Sequence, residues 1–316
     1  MMFKFKTPAK KTLNIMSEVA KGNIEKDYEK SCINKIKRLT KKDNVKITSS
    51  GNNSILIALA SVEGDIVIPD QGAWHGFKQI AKFLNKNIKI LKTDDGIINT
   101  DYLKTTTIDD SSALIFTSFA GYTAEQDVES INDYCSEKNI LTIEDASAGV
   151  GDNKNRLGKH SDIILASTGS PKMINVGNGG FIASNNNEIF KKTSLAQKLS
   201  KTSEIVCSGI DNELNNVKKN LEVSLNATKY IKKHIDTTIY ASKRGVNVII
   251  PHDDAKKKCW NLKKILTTDK SGIITTCPNY NRVKQKAICI EIKNLDYSCL
   301  KKEKLNIIID EVNNQL

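Results

Sequence analysis

At 316 residues, with 39% hydrophobic and 27% charged side chains, the chain has the composition of a folded protein larger than one average domain, which excludes a disordered one. Its net charge of +12 comes almost wholly from lysines spread along the sequence, with arginine only at Arg38, Arg156, Arg244 and Arg282, so nucleic acid, tRNA included, is a disfavoured partner. No apolar run approaches the roughly 18–20 residues that cross a bilayer, the start MMFKFKTPAKK has no apolar signal core, and seven scattered cysteines suggest neither a disulfide framework nor a metal site, so a cytoplasmic protein is expected.

Residues 1–45 read as a basic helical lead-in, with Tyr28, Cys32, Ile36 and Leu39 on one stripe that should dock on the body. From Val45 onward short apolar runs alternate with helical segments. The runs are at 65–70, 88–92, 113–119, 140–145, 162–168 and 179–184, and helices such as 76–86 and 127–139 lie between them. Runs without alternating polar positions suit strands covered on both faces, so a mainly parallel α/β sheet is expected over 46–190. Residues 191–316 then carry linking helices, three strand candidates (245–252, 272–278 and 286–294) and a terminal amphipathic helix, the pattern of a small α+β domain.

In a parallel sheet, ligands sit at the carboxyl ends of the strands, and three segments there could carry chemistry. In ITSSGNNSILIALASV, small residues at 48–54 run into a helix starting near Asn52; its free amides and dipole could cradle a phosphate, with Gly51 allowing close approach, or the polar residues could be ordinary caps. Asp145 ends the run ILTIED and should face the crevice, Glu144 the opposite way; it could pair with a protonated ring nitrogen or cap a loop. In STGSPKMINVGNGG, Lys172 follows the strand end at Ser167 and precedes Gly177, Gly179 and Gly180. Burial there would lower an amine's pKa enough for it to attack an aldehyde.

In this order and spacing the three segments resemble the DegT/DnrJ/StrS family of pyridoxal-phosphate (PLP)-dependent aminotransferases, of the type I, aspartate-aminotransferase-like fold. The likeness runs from about Glu25 to Ser184. The family's phosphate loop is matched by Ser50, Gly51, Asn52, Asn53 and Ser54, and its Glu-Asp-Ala-Ala by Glu144, Asp145, Ala146 and Ser147. Its lysine motif is matched by Ser167, Lys172, Gly177, Gly179 and Gly180, and the hairpin before the lysine strand by Asn155, Arg156, Leu157 and Gly158. The resemblance implies that Lys172 holds PLP as a Schiff base and shuttles the α-proton, and that Asp145 keeps the ring nitrogen protonated. Gly51, Asn52, Asn53 and Ser167 would hold the phosphate. Trp74 would stack on the ring, with His75 its competitor and the indole the larger face.

Ala148 stands where the family carries Gln or His to meet the ring hydroxyl, Gly169 where relatives often carry His or Ser, and the chain is short in its carboxyl-terminal part. Arg282, among so few arginines, is the candidate clamp for a substrate carboxylate. The expected activity is transfer of an amino group from an amino acid to a small keto acceptor such as a nucleotide sugar, by a homodimer. The alternatives are a PLP-dependent lyase or desulfurase, with Cys277 as a sulfur carrier, an aminoacyl-tRNA-modifying enzyme, and a non-catalytic binding protein of the same fold.

Overall fold

The computed structural model describes residues 3–270, 272–279 and 282–316. In chain order, helices α1 (Lys10–Ala20) and α2 (Tyr28–Thr40) lead to β1 (Asn44–Thr48), α3 (Gly51–Ala60), β2 (Ile66–Pro69), α4 (Gly76–Phe83), β3 (Ile88–Leu91), α5 (Thr100–Thr105) and β4 (Ala113–Thr117). A short hairpin, β5 (Phe119–Ala120) and β6 (Ala124–Glu125), precedes α6 (Val128–Glu137), β7 (Leu141–Asp145), β8 (Ile163–Ser167) and β9 (Gly180–Ser184). Four helices follow: α7 (Glu188–Lys192), α8 (Ser194–Leu199), α9 (Glu204–Leu214) and α10 (Val217–Lys233). The last part holds β10 (Val248–Pro251), α11 (Ala255–Ile265), β11 (Ile274–Cys277), β12 (Ala287–Ile290) and α12 (Lys302–Asn313).

Seven strands form one sheet in the order β1-β9-β8-β7-β4-β2-β3, parallel except for β9, which runs antiparallel to both of its neighbours. The unbroken apolar runs are explained by burial on both faces. In β4, Ala113 and Ile115 pack with Ile55, Ile57 and Phe77 of α3 and α4, while Leu114 and Phe116 pack with Ile131, Cys135 and Ile210 of α6 and α9. Each side chain of this size contributes about 1.5–3 kcal/mol when taken fully out of water. The expected α/β architecture with a mainly parallel sheet is therefore present.

On α2, Tyr28, Cys32 and Ile36 are buried and α2 packs on α9, which accounts for the stripe seen in the sequence. A separate three-stranded antiparallel sheet, β10-β12-β11, packs with α10, α11 and α12 around its own core of Ile231, Val248, Leu262, Ile288, Ile308 and others. No helix among the described residues is long and apolar enough to cross a membrane.

Candidate active site

The carboxyl ends of β7 and β8 lie side by side, with Asp145 paired with Leu165, and β8 continues to Ser167. On the other side of β9, β1 runs into α3, whose N-cap Ser50 bridges Gly179 and accepts a hydrogen bond from the Asn53 amide. This packing places Gly51, Asn52, Ile55, Trp74, Tyr122, Asp145, Ser147, Leu165, Ser167 and Lys172 around one cavity of about 210 Å³.

Each polar group has an identifiable support. Asp145 Oδ1 accepts from the Ser147 amide at 3.0 Å and from Ser147 Oγ at 2.5 Å, an arrangement that holds the carboxylate still and leaves Oδ2 for the cavity. Glu144, on the opposite pleat, is wholly buried and accepts from Ser118 Oγ and the Gly158 amide; burial, the largest influence, pushes its carboxyl up to about 7. The Lys172 loop is closed by hydrogen bonds from Thr168 N to Gly179 O, from Lys172 N to Gly169 O and from Val176 N to Thr168 O. Gly179, at φ +90°, touches Thr168 where any side chain would collide, so this glycine is required by the turn.

Trp74 borders the cavity with its indole laid across Gly76, where a Cβ would come within 2.0 Å of the ring, and edge-on to Phe77. His75 is exposed and borders a neighbouring hollow instead. Asn53 turns its amide to Ser49 Oγ at 2.7 Å and does not border the cavity, whereas Asn52 does.

Arg282 is also outside the lining. It is 4% exposed and binds Glu291 through Nε at 3.0 Å and Nη2 at 2.6 Å to both carboxylate oxygens, with its guanidinium 4.8 Å from the Tyr122 ring. Cys277 is buried, which pushes its thiol up to about 12, and it too lies away from the lining.

Tyr122 was not among the residues expected at the site. Its hydroxyl accepts from Lys172 Nζ at 3.1 Å. The available signal was position: Gly121 and Tyr122 follow a parallel strand at the ligand-binding end of the sheet. Ser147, in the same motif as the expected Asp145, is the support of that carboxylate. A larger hollow of about 360 Å³ between α10 and residues 241–245 holds none of the sequence candidates.

Residues 10–214 match the model of the DegT/DnrJ/EryC1/StrS aminotransferase family. The chain belongs to this family. Its enzyme class is accordingly that of an aminotransferase. Residues 218–313 match a different model, the MJ1341 family C-terminal domain, which begins where the likeness to the DegT family stops.

Among solved structures, Spr1654 of Streptococcus pneumoniae, named as a sugar aminotransferase and solved in its PMP form, is similar at TM-score 0.77 and 10% identity, over 100% of this chain and 97% of that one. PseC of Helicobacter pylori, an aminotransferase involved in the biosynthesis of pseudoaminic acid, is similar at 0.73 and 14%, over 100% and 99%. A SepCysS–SepCysE N-terminal domain complex matches at 0.72 and 16%, over 100% and 96%. At such identities the likeness speaks for the fold, the PLP-dependent type I fold of these transferases.

The DegT-family cofactor is PLP, and the cavity suits it. Gly51 and Asn52 belong to the first turn of α3, whose amides have no partner within the helix and attract an anion. Ser167 lies against that turn, with its Cβ 2.5 Å from where a Gly51 side chain would begin. Across the cavity are a fixed carboxylate and an amine, as a ring with a basic nitrogen and an aldehyde requires.

Proposed function

We propose that this chain is a PLP-dependent aminotransferase in which Lys172 carries the cofactor, Asp145 sets its protonation state and the start of α3 holds its phosphate. What supports the reading is the convergence of Lys172, Asp145, Ser167 and the first turn of α3 on a single cavity. Bound there, PLP supplies an electron-withdrawing ring that takes an amino group from a donor and passes it to an acceptor. Asp145, steadied by Ser147, would keep the ring nitrogen protonated; Gly51, Asn52 and Ser167 would hold the phosphate, and Trp74 would supply an aromatic wall to the ring. Lys172, once its amine is free, moves the proton of the donor's α-carbon.

The donor would be an amino acid and the acceptor a small keto compound, a nucleotide-linked sugar being the candidate suggested by the sugar aminotransferase among the similar folds. Arg282 is committed to Glu291, which disfavours it as the contact for a substrate carboxylate. The enzyme would work as a cytoplasmic homodimer. The desulfurase reading is disfavoured, because Cys277 is buried and away from the cavity.

The test is Lys172→Ala. The purified wild type should show the absorbance band of a lysine-bound PLP, and the band should convert when the correct amino donor is added. Lys172→Ala should lose the band and at least about a hundredfold in kcat. A full band in Lys172→Ala would refute the assignment, and release of sulfide or pyruvate from the donor would replace transfer with elimination.

A further inference from the structure

Tyr122 is held in place by more than packing. Its backbone sits at φ +64°, directly after Gly121 at φ +55°, and a bulky residue there costs on the order of 1–2 kcal/mol. The cost is offset by a grip from far along the chain: the amides of Val246 and Asn247 both donate to Tyr122 O, at 2.8 and 2.9 Å. The conformation aims the ring at the cavity and into a ring of cations. Lys172 Nζ lies 5.5 Å, Lys293 Nζ 5.0 Å and Arg282 Cζ 4.8 Å from its centre.

The charges around this ring do not balance if the phenol keeps its proton. Three cations, Lys172, Lys293 and Arg282, face two carboxylates: Glu291, bound to Arg282 and 3.3 Å from Lys293, and Asp145, across the cavity. A buried excess cation is costly, and loss of the proton on the Tyr122 oxygen, which accepts from Lys172 Nζ at 3.1 Å, removes the excess while leaving that ammonium directly paired.

We infer that Tyr122 is the positioning residue that holds the ammonium of Lys172, when this lysine carries no cofactor, as a phenolate–ammonium pair and takes its proton when the free amine is needed. This rests on the reading that Lys172 is the cofactor lysine. In the exchange one N–H bond of Lys172 breaks and one O–H bond of Tyr122 forms, so ammonium and phenolate become amine and phenol without a proton leaving for solvent. The directions of both ionisations agree. Burial, the largest influence on Tyr122, pushes its phenol up, yet Lys172, Lys293 and Arg282 outweigh it against Asp145, and the group lies below its ordinary value. Burial pulls Lys172 down, yet Tyr122 and Asp145 outweigh it against Arg282, and the ammonium lies above its ordinary value.

The pair can be tested from both ends in the full-length chain stripped of cofactor. Of the two states of a lysine, acetic anhydride acylates only the free amine, so the extent of Lys172 acetylation across pH, located by peptide mass spectrometry, traces its titration. In Tyr122→Phe the curve should shift to lower pH, because burial is then less opposed. In Lys172→Ala the ultraviolet tyrosinate band assigned to Tyr122, by difference from Tyr122→Phe, should shift to higher pH. Far-ultraviolet circular dichroism monitors folding of each variant; Tyr122→Phe removes one oxygen only, and its acetylation arm stands alone if Lys172→Ala fails to fold. A Lys172 curve that does not move in Tyr122→Phe, or a Tyr122 band indifferent to Lys172, overturns the inference while leaving the cofactor assignment intact; a PLP band surviving in Lys172→Ala removes the assignment itself.

Discussion

Gly51 sits where α3 begins and β8 ends, and a Cβ at this position would lie 2.5 Å from Ser167 Cβ and 2.9 Å from Ser167 Cα. One of those atoms is backbone, so the strand end must move. Gly51→Ala is expected to cost about 1–3 kcal/mol of stability through overpacking and to weaken PLP binding, read as a lower urea midpoint and a weaker absorbance titration. Unchanged cofactor affinity would argue against α3 as the phosphate site. The candidates that gather at the cavity were legible because each carries a local signal: a strand-end acid at Asp145, small residues before a helix at Gly51, a lysine among glycines at Lys172. Tyr122 has no such signal. FTSFAGYT reads as the tail of an apolar run, and the ring enters the cavity only because a left-handed turn and the amides of Val246 and Asn247 direct it.

At the level of elements, the buried strands were readable because two-sided burial makes each one apolar throughout. Direction was not readable from GGFIAS itself: β9 pairs antiparallel with β8 and β1, the chain turning back through the 168–179 loop with no crossover helix between β8 and β9. Arg282 illustrates the same limit. Its rarity suggested a carboxylate from outside, but the turn into β12 brings Glu291 to it, and Asn247 Nδ2 donates to the same carboxylate at 2.7 Å, tying β10 to β12.

Burial, the largest influence on Glu291, raises its pKa, and Lys293 and Arg282 outweigh it, bringing the group down to about 2 from an unfolded value near 4.5. A depressed carboxylate stabilises the fold fully above its unfolded pKa and loses that contribution as pH falls toward the folded one. Glu291→Gln leaves Arg282 uncompensated and should cost about 3–5 kcal/mol at pH 7. In urea unfolding the gap between variant and wild type should narrow between pH 4.5 and pH 2. A gap independent of pH would mean that shape, not charge, is what Glu291 supplies.

Across the whole molecule, the amino-terminal segment joins the two cores. Phe3 N donates to Thr267 O and Lys6 N to Asn294 O, and Lys4 O accepts from Asp296 N, all in the carboxyl-terminal part; α1 then packs on α9 beside the large sheet, where Thr12 bonds Glu213. The sequence showed a basic helical lead-in but not this clamp, because its partners lie near the other end of the chain. At the joint Lys6 is 1% exposed; among the described residues its Nζ has no hydrogen-bond partner, and it lies 4.6 Å from the centre of the Tyr297 ring.

Burial and then Lys293 lower its pKa to about 7, against the partial support of Asp296 and Glu213. The unfolded chain, with a lysine near 10.5, therefore binds more protons than the folded one between these values, so the wild type should gain stability as pH rises from 7 to 10.5. Lys6→Met keeps the length of the side chain and removes the ammonium. It should stabilise the protein most at pH 7 and below, by a few kcal/mol at about 1.36 kcal/mol per unit of depressed pKa, and the advantage should fade toward pH 10.5. Thermal midpoints of the two proteins across that range decide the matter: a variant less stable than wild type at pH 6 would show that the Lys6 ammonium strengthens the clamp.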